Sequence, residues 1–193
     1  MVNVLYYHQT DLDVINMETK NFTYGIPSEK DRDLRKTIEF FKHNRCVRIT
    51  MANHKTFSLF VSGYEMKSYR IFLGPELRYK KDNRVIIPVD YIISAERIAA
   101  SEVDTAYKGQ TTLKRGDFED DGFVRSGKDF FQVIRYAHQQ GKPIRVYLSD
   151  NRVLDGVSTG MNEQSAGIRL SDGRVVQVYY DWVDRIIPVN HEI

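Results

Sequence analysis

The feature that most constrains this chain is an internal echo. Met51-Ala52-Asn53-His54-Lys55-Thr56-Phe57, continued to Leu73, lies without a gap over Leu148-Ser149-Asp150-Asn151-Arg152-Val153-Leu154, continued to Leu170, so that residue 51 answers to residue 148 at an offset of 97. Gly63/Gly160, Ser68/Ser165, Ile71/Ile168 and Leu73/Leu170 are identical at that spacing. A correspondence of this length predicts two copies of one small module. The expected layout is an N-terminal extension over residues 1–27, a first module over 28–99, an acidic linker over 100–122 and a second module over 123–193. Modules of about seventy residues have barely enough apolar surface for a core of their own, so packing of one on the other, or self-association, is expected.

Each copy opens with a helix signal. Ser28-Glu29-Lys30-Asp31 and Ser126-Gly127-Lys128-Asp129 place a capping serine three residues before an acid, which suits the positive end of a helix. Leu34, Ile38 and Phe41, and likewise Phe130, Ile134 and Ala137, fall on one helical face and read as core. Asn44 and Gly141, again 97 apart, suit left-handed helix stops. Period-two alternation follows, with Val47, Ile49 and Met51 inward in one copy and Ile144, Val146 and Leu148 in the other. Asn53-His54 and Asp150-Asn151 then predict hairpin turns with positive φ, and Gly63 and Gly160 predict bends before third strands centred on Ile71 and Ile168. Two strands complete each copy, over 85–89 and 94–98 in the first and over 175–179 and 183–189 in the second. Matching Ala95-Glu96-Arg97-Ile98 to Val183-Asp184-Arg185-Ile186 sets an offset of 88 there. The first copy is then longer by nine residues, the difference between 97 and 88, all within the basic stretch 74–84.

The net charge of +2 hides an uneven distribution. Residues 28–99 hold 15 basic and 9 acidic side chains, a net +6, and residues 123–193 hold 9 and 8, a net +1. The first 27 hold 1 and 3, a net −2, and residues 100–122 hold 3 and 6, a net −3. The first module is therefore the one able to attract a polyanion. No apolar run approaches the roughly twenty residues that span a bilayer, so no membrane partner is expected. The start, Met1 to His8, reads as a strand and lacks the layout of a signal peptide. A lone cysteine, Cys46, excludes an internal disulfide, fits a reducing cytoplasm and reads as a small buried residue.

No catalytic or metal-binding pattern is present. The five histidines are scattered, and no His-x-x-x-His, Cys-x-x-Cys, Gly-x-Ser-x-Gly or Walker-type loop occurs. The acids of Asp117-Phe118-Glu119-Asp120-Asp121-Gly122 lack the fixed spacing of a cation loop and read as a solvated linker. Neither a cofactor nor catalysis is expected. What remains is surface for binding. Tyr64, Tyr79, Tyr179 and Tyr180 lie in or beside predicted loops, where rings stack on bases, and Lys67, Arg70, Arg78, Lys80, Lys81 and Arg84 can meet phosphates.

A helix followed by five short bent strands is the order of the Sm-like fold, and the residues resemble its bacterial branch, Hfq. Pro143 to Gly156 is similar to that family's first two strands, and Val178 to Pro188 to its closing segment. The resemblance covers most of 126–189 and, more weakly, 28–98. It implies a mainly β chain of two small bent five-stranded barrels, each preceded by a helix, assembled by strand pairing into rings. Three such chains would make a pseudo-hexamer. Where the family has a Tyr-Lys-His turn for uridine-rich RNA, this chain has Tyr179-Tyr180-Asp181, with Tyr91-Ile92-Ile93 in the first copy. Its other base-contacting loop corresponds to Met161-Asn162-Glu163-Gln164 and Tyr64-Glu65-Met66-Lys67. Asn162 and Gln164 are the side chains there able to read a base edge.

The expected function is thus a non-catalytic Sm-like protein that binds RNA, or single-stranded nucleic acid, as a ring-like oligomer. The alternative is a protein-interaction module that keeps the barrel without binding nucleic acid, favoured by Asp181 and the near-neutral second copy. A cyclic-dinucleotide barrel of the PilZ kind needs Arg-x-x-x-Arg and Asp-x-Ser-x-x-Gly. Asp155-Gly156-Val157-Ser158-Thr159-Gly160 misses that spacing.

Overall fold

The computed structural model describes residues 29–118 and 129–189. The N-terminal extension with its expected strand, the capping serines Ser28 and Ser126, and residues 119–122 of the acidic linker lie outside them.

Helix α1 (Glu29–His43) turns Leu34, Ile38 and Phe41 into the core, as their spacing requires. Asn44 ends it with its side chain: Nδ2 donates to the Phe40 carbonyl at 2.7 Å, and its backbone N–H reaches the same oxygen at 3.1 Å. The left-handed stop expected at Asn44 is therefore replaced by a side-chain cap. Helix α2 (Phe130–Gln139) buries Phe130, Ile134 and Ala137, and Gly141 supplies its left-handed stop at φ 62. Its N-cap is Asp129, which accepts from the Gln132 N–H at 3.2 Å.

The strands are β1 (Cys46–Met51), β2 (Thr56–Glu65), β3 (Arg70–Gly74), β4 (Arg84–Pro88), β5 (Ile92–Arg97), β6 (Gln110–Thr112), β7 (Ile144–Leu148), β8 (Val153–Met161), β9 (Ser165–Leu170), β10 (Val175–Tyr179) and β11 (Val183–Pro188). His54 and Asn151, both at φ 66, turn the first hairpin of each half. Register shifts between Val61 and Gly63, and between Ser158 and Gly160, mark the expected bends.

The expectation of two separate five-stranded barrels is overturned. All eleven strands form one open sheet in the order β11-β7-β8-β9-β10-β5-β1-β2-β3-β4-β6, with β11 and β6 at its two edges. The physical reason is the pairing of β10 with β5, Val176 opposite Glu96, Gln177 opposite Ala95 and Val178 opposite Ser94. That seam satisfies two edges that separate units would leave bare. One apolar cluster runs through both halves, from Ile38, Phe41 and Ile49 to Ile134, Val146 and Trp182.

Strand pairing also corrects the alignment of the halves at their ends. Val47 faces Arg97 and Ile144 faces Pro188, so Arg97 answers to Pro188 at an offset of 91. The first half is thus longer by six residues, the difference between 97 and 91, and the counterpart of Tyr179-Tyr180-Asp181 is Pro88-Val89-Asp90 rather than Tyr91-Ile92-Ile93. Identity of Glu/Asp-Arg-Ile favoured the wrong match because it ignored hydrogen-bond register.

The linker is not merely solvated. Its residues 110–112 form β6, parallel to β4, and Val103, Leu113 and Phe118 are buried. Phe118 stacks on Tyr91 at 4.3 Å between ring centres, and Arg115 Nε donates to Asp90 Oδ2 at 2.9 Å.

Candidate functional site

The sequence-predicted residues separate into three places. The first is the loop from Pro75 to Asn83 between β3 and β4. There the Tyr79 ring leans on Phe72 at 5.5 Å, and the Arg84 guanidinium lies 5.3 Å from the centre of the Tyr79 ring. This aromatic clamp holds the loop against the sheet. Lys80 donates to Glu76, four residues earlier in the loop, at 2.6 Å, so part of its charge is answered locally. Leu77, Arg78 and Lys81 point to solvent, Leu77 with 55% of its surface exposed.

Asn83, at φ 54, turns the chain into β4 and accepts from the Gly109 N–H at 3.3 Å. Together with the Arg84–Gln110 pairing of β4 and β6, that bond brings Lys108 beside the loop. Among the described residues Arg78, Lys81, Arg84 and Lys108 have no carboxylate partner. Four cations are therefore gathered at one edge of the sheet. Lys108 was invisible to sequence reasoning, since it lies in a linker of net negative charge and reaches the loop only through β6. Its one local signal is the Lys-Gly step ahead of a short β-prone run, Gln110-Thr111-Thr112.

The second place is the turn from β2 to β3, at the opposite end of β3. Tyr64 is 43% exposed and carries the Lys42 ammonium 4.8 Å from its ring centre. Arg70 Nε donates to Ser68 Oγ at 2.7 Å and to Glu65 Oε2 at 3.0 Å. The Ser68 hydroxyl and the Arg70 guanidinium hold the Glu65 carboxyl below its ordinary range. Arg70 is thus committed to an internal ion pair, while Lys67 stays exposed on the same turn.

The third place lies in the second half, and its residues are structural. Asn162 Oδ1 accepts from the backbone N–H groups of Gln164 at 2.8 Å and Ser165 at 2.9 Å, which closes the β8–β9 turn. Gln164 Nε2 donates to Thr37 Oγ1 at 2.7 Å and ties that turn to α1. Tyr179 is only 5% exposed, and burial pushes its phenol well up; burial does the same to Tyr180, packed 6.2 Å from Phe130. Both tyrosines lie beside a loop as expected, at the end of β10 and in the turn that follows it, but Tyr179 is closed inside the core, where a base cannot stack on it, and Tyr180 is half-buried. Among the described residues no three His, Cys, Asp or Glu side chains gather as a metal site, and no helix is long and apolar enough to cross a membrane.

A family model described as the repressor of phase-1 flagellin matches residues 21–186. The chain belongs to that family. The repressor of the phase 1 flagellin gene from Salmonella typhimurium strain LT2 is 24% identical over 175 residues, covering 88% of this chain and 94% of the relative. Its namesake from Salmonella abortus-equi is 23% identical over 154 residues, covering 79% and 83%. These matches overturn the Sm-like resemblance, and with it the Hfq-type RNA-binding ring and its barrel-keeping alternative. The resemblance rested on strand order and short apolar steps, which many bent antiparallel sheets share. The phase-1 flagellin repressor family is named for a regulator, not an enzyme. All four unpaired cations, Arg78, Lys81, Arg84 and Lys108, fall within the matched span.

Proposed function

We propose that this chain is a non-catalytic cytoplasmic repressor that lowers the expression of a flagellin gene by gripping nucleic acid at the basic β4–β6 edge. The name shared by its relatives supports repression. The observation that carries the mode of action is the edge itself: Arg78, Lys81 and Arg84 on the β3–β4 loop and β4, and Lys108 just ahead of β6, form no ion pair among the described residues. Unpaired cations on a rigid sheet edge release counterions when they meet a phosphate backbone, and this supplies affinity without a catalytic group. Exposed Leu77 and the clamped Tyr79 ring offer apolar surface beside the cations.

The test is fluorescence anisotropy of the full chain against duplex DNA and against RNA covering a flagellin gene's control region and message leader, each across a range of salt. Binding to one of the two is expected to weaken steeply as salt rises. The Arg78→Gln/Lys81→Gln/Lys108→Gln chain is expected to lose roughly one unit of the log–log salt slope per removed cation. Salt-independent binding, or none to either nucleic acid, overturns the proposal.

A further inference from the structure

The β10–β5 seam is a template for a second seam that the fold keeps shut. In β10 the edge away from β9 is offered by Val176, Gln177 and Val178, and β5 takes it with Glu96, Ala95 and Ser94. At the offset of 91 fixed by strand register, the counterparts of Val176, Gln177 and Val178 are Val85, Ile86 and Ile87 of β4. The counterparts of Ser94, Ala95 and Glu96 are Arg185, Ile186 and Ile187 of β11. Even the irregularity recurs. The β1–β5 pairing steps over Ile93 and the β7–β11 pairing over Asp184, so β11 repeats the edge geometry by which β5 receives a strand. Among the described residues the outer edge of β11 has no strand on it.

The matching edge of β4 is occupied. Gln110, Thr111 and Thr112 of β6 face Arg84, Val85 and Ile86, and the Leu113 N–H donates to the Ile86 carbonyl at 2.9 Å. Val85 and Ile86 are two of the three residues that the template assigns to a partner strand. Strand β6 is short and runs parallel, whereas the β10–β5 seam is antiparallel, and its main anchor is buried Leu113. We propose that β6 is an edge plug that holds the seat of β11 from a second copy of this chain. With the plug released, Ile187, Ile186 and Arg185 of one copy pair with Val85, Ile86 and Ile87 of the next. This joins copies head to tail. With the plug seated, the β4 edge is covered and the chain stays a single copy.

Sedimentation velocity of the full chain over a wide concentration range tests this. The unaltered chain is expected to run at the mass of one copy. The Thr111→Pro/Leu113→Pro chain, which lacks the Leu113 N–H that donates to the Ile86 carbonyl and the N–H two residues earlier on the same side of β6, is expected to shift to twofold and higher masses as concentration rises. A peptide spanning residues 182–188 is expected to dissolve those species. Leu113→Ala loosens the same plug without proline and decides the matter if the double variant fails to fold, folding being read from the emission of buried Trp182. Multimers of the unaltered chain, plug variants that fold yet stay single, or multimers indifferent to the peptide would each overturn the proposal.

Discussion

Gly156 in β8 shows how closely neighbouring strands approach at single positions. A Cβ there would run into the Arg169 backbone and meet Ile168 Cγ2 at 2.9 Å. Gly156→Ala is therefore expected to destabilise the fold by roughly 1–3 kcal/mol, read as a lower urea midpoint at unchanged slope. An unchanged midpoint would mean that the strands part there without strain. At the same scale, side-chain partners separate residues that the sequence groups together. Arg70 and Arg84 are both arginines beside a tyrosine-bearing turn, yet Arg70 is spent on Glu65 while Arg84 lies over Tyr79 and forms no ion pair among the described residues. Tyr79 and Tyr179 diverge in the same way, one 42% exposed and the other 5%. Charge and ring content were legible in the sequence. Which of them remained available was not, because that depends on neighbours far along the chain.

Among the elements, α2 depends most visibly on one residue. Asp129 is its N-cap, and Asp129→Ala is expected to cost about 1 kcal/mol by leaving the Gln132 N–H unanswered, seen as a lower melting temperature. A melting temperature equal to that of the unaltered chain would show that another group caps the helix. The ten strands other than β6, and the hairpin turns at His54 and Asn151, were legible because short apolar runs and turn residues are local signals. Strand β6 was not. Gln110-Thr111-Thr112 has no apolar alternation, and it is a strand only because β4, 26 residues earlier, accepts it in parallel. The register of β5 and β11 escaped for a related reason: sequence identity pointed to an offset of 88, while the hydrogen bonds to β1 and β7 require 91.

For the whole molecule, the decisive contact is between the halves. Beside the three residue pairs of the β10–β5 seam, Glu96 accepts from Arg48 of the first half at 3.2 Å and Arg174 of the second at 3.5 Å. Arg152 donates to Ser94 Oγ at 2.7 Å, and Trp182 Nε1 donates to the Asp90 carbonyl at 3.1 Å. Partly buried polar bonds of this kind, anchored on buried Ser94 and Glu96, fix one arrangement of the halves. They explain why the internal echo ends as one sheet and not as two barrels. The same arrangement leaves the β4–β6 edge with its four unpaired cations as the face through which repression is proposed to work. The most direct test is a flagellin-gene reporter in cells that make either the full chain or its Arg78→Gln/Lys81→Gln/Lys108→Gln form at equal abundance. The intact chain is predicted to lower reporter output and the altered one to leave it near the level without repressor. Equal repression by both would contradict the account.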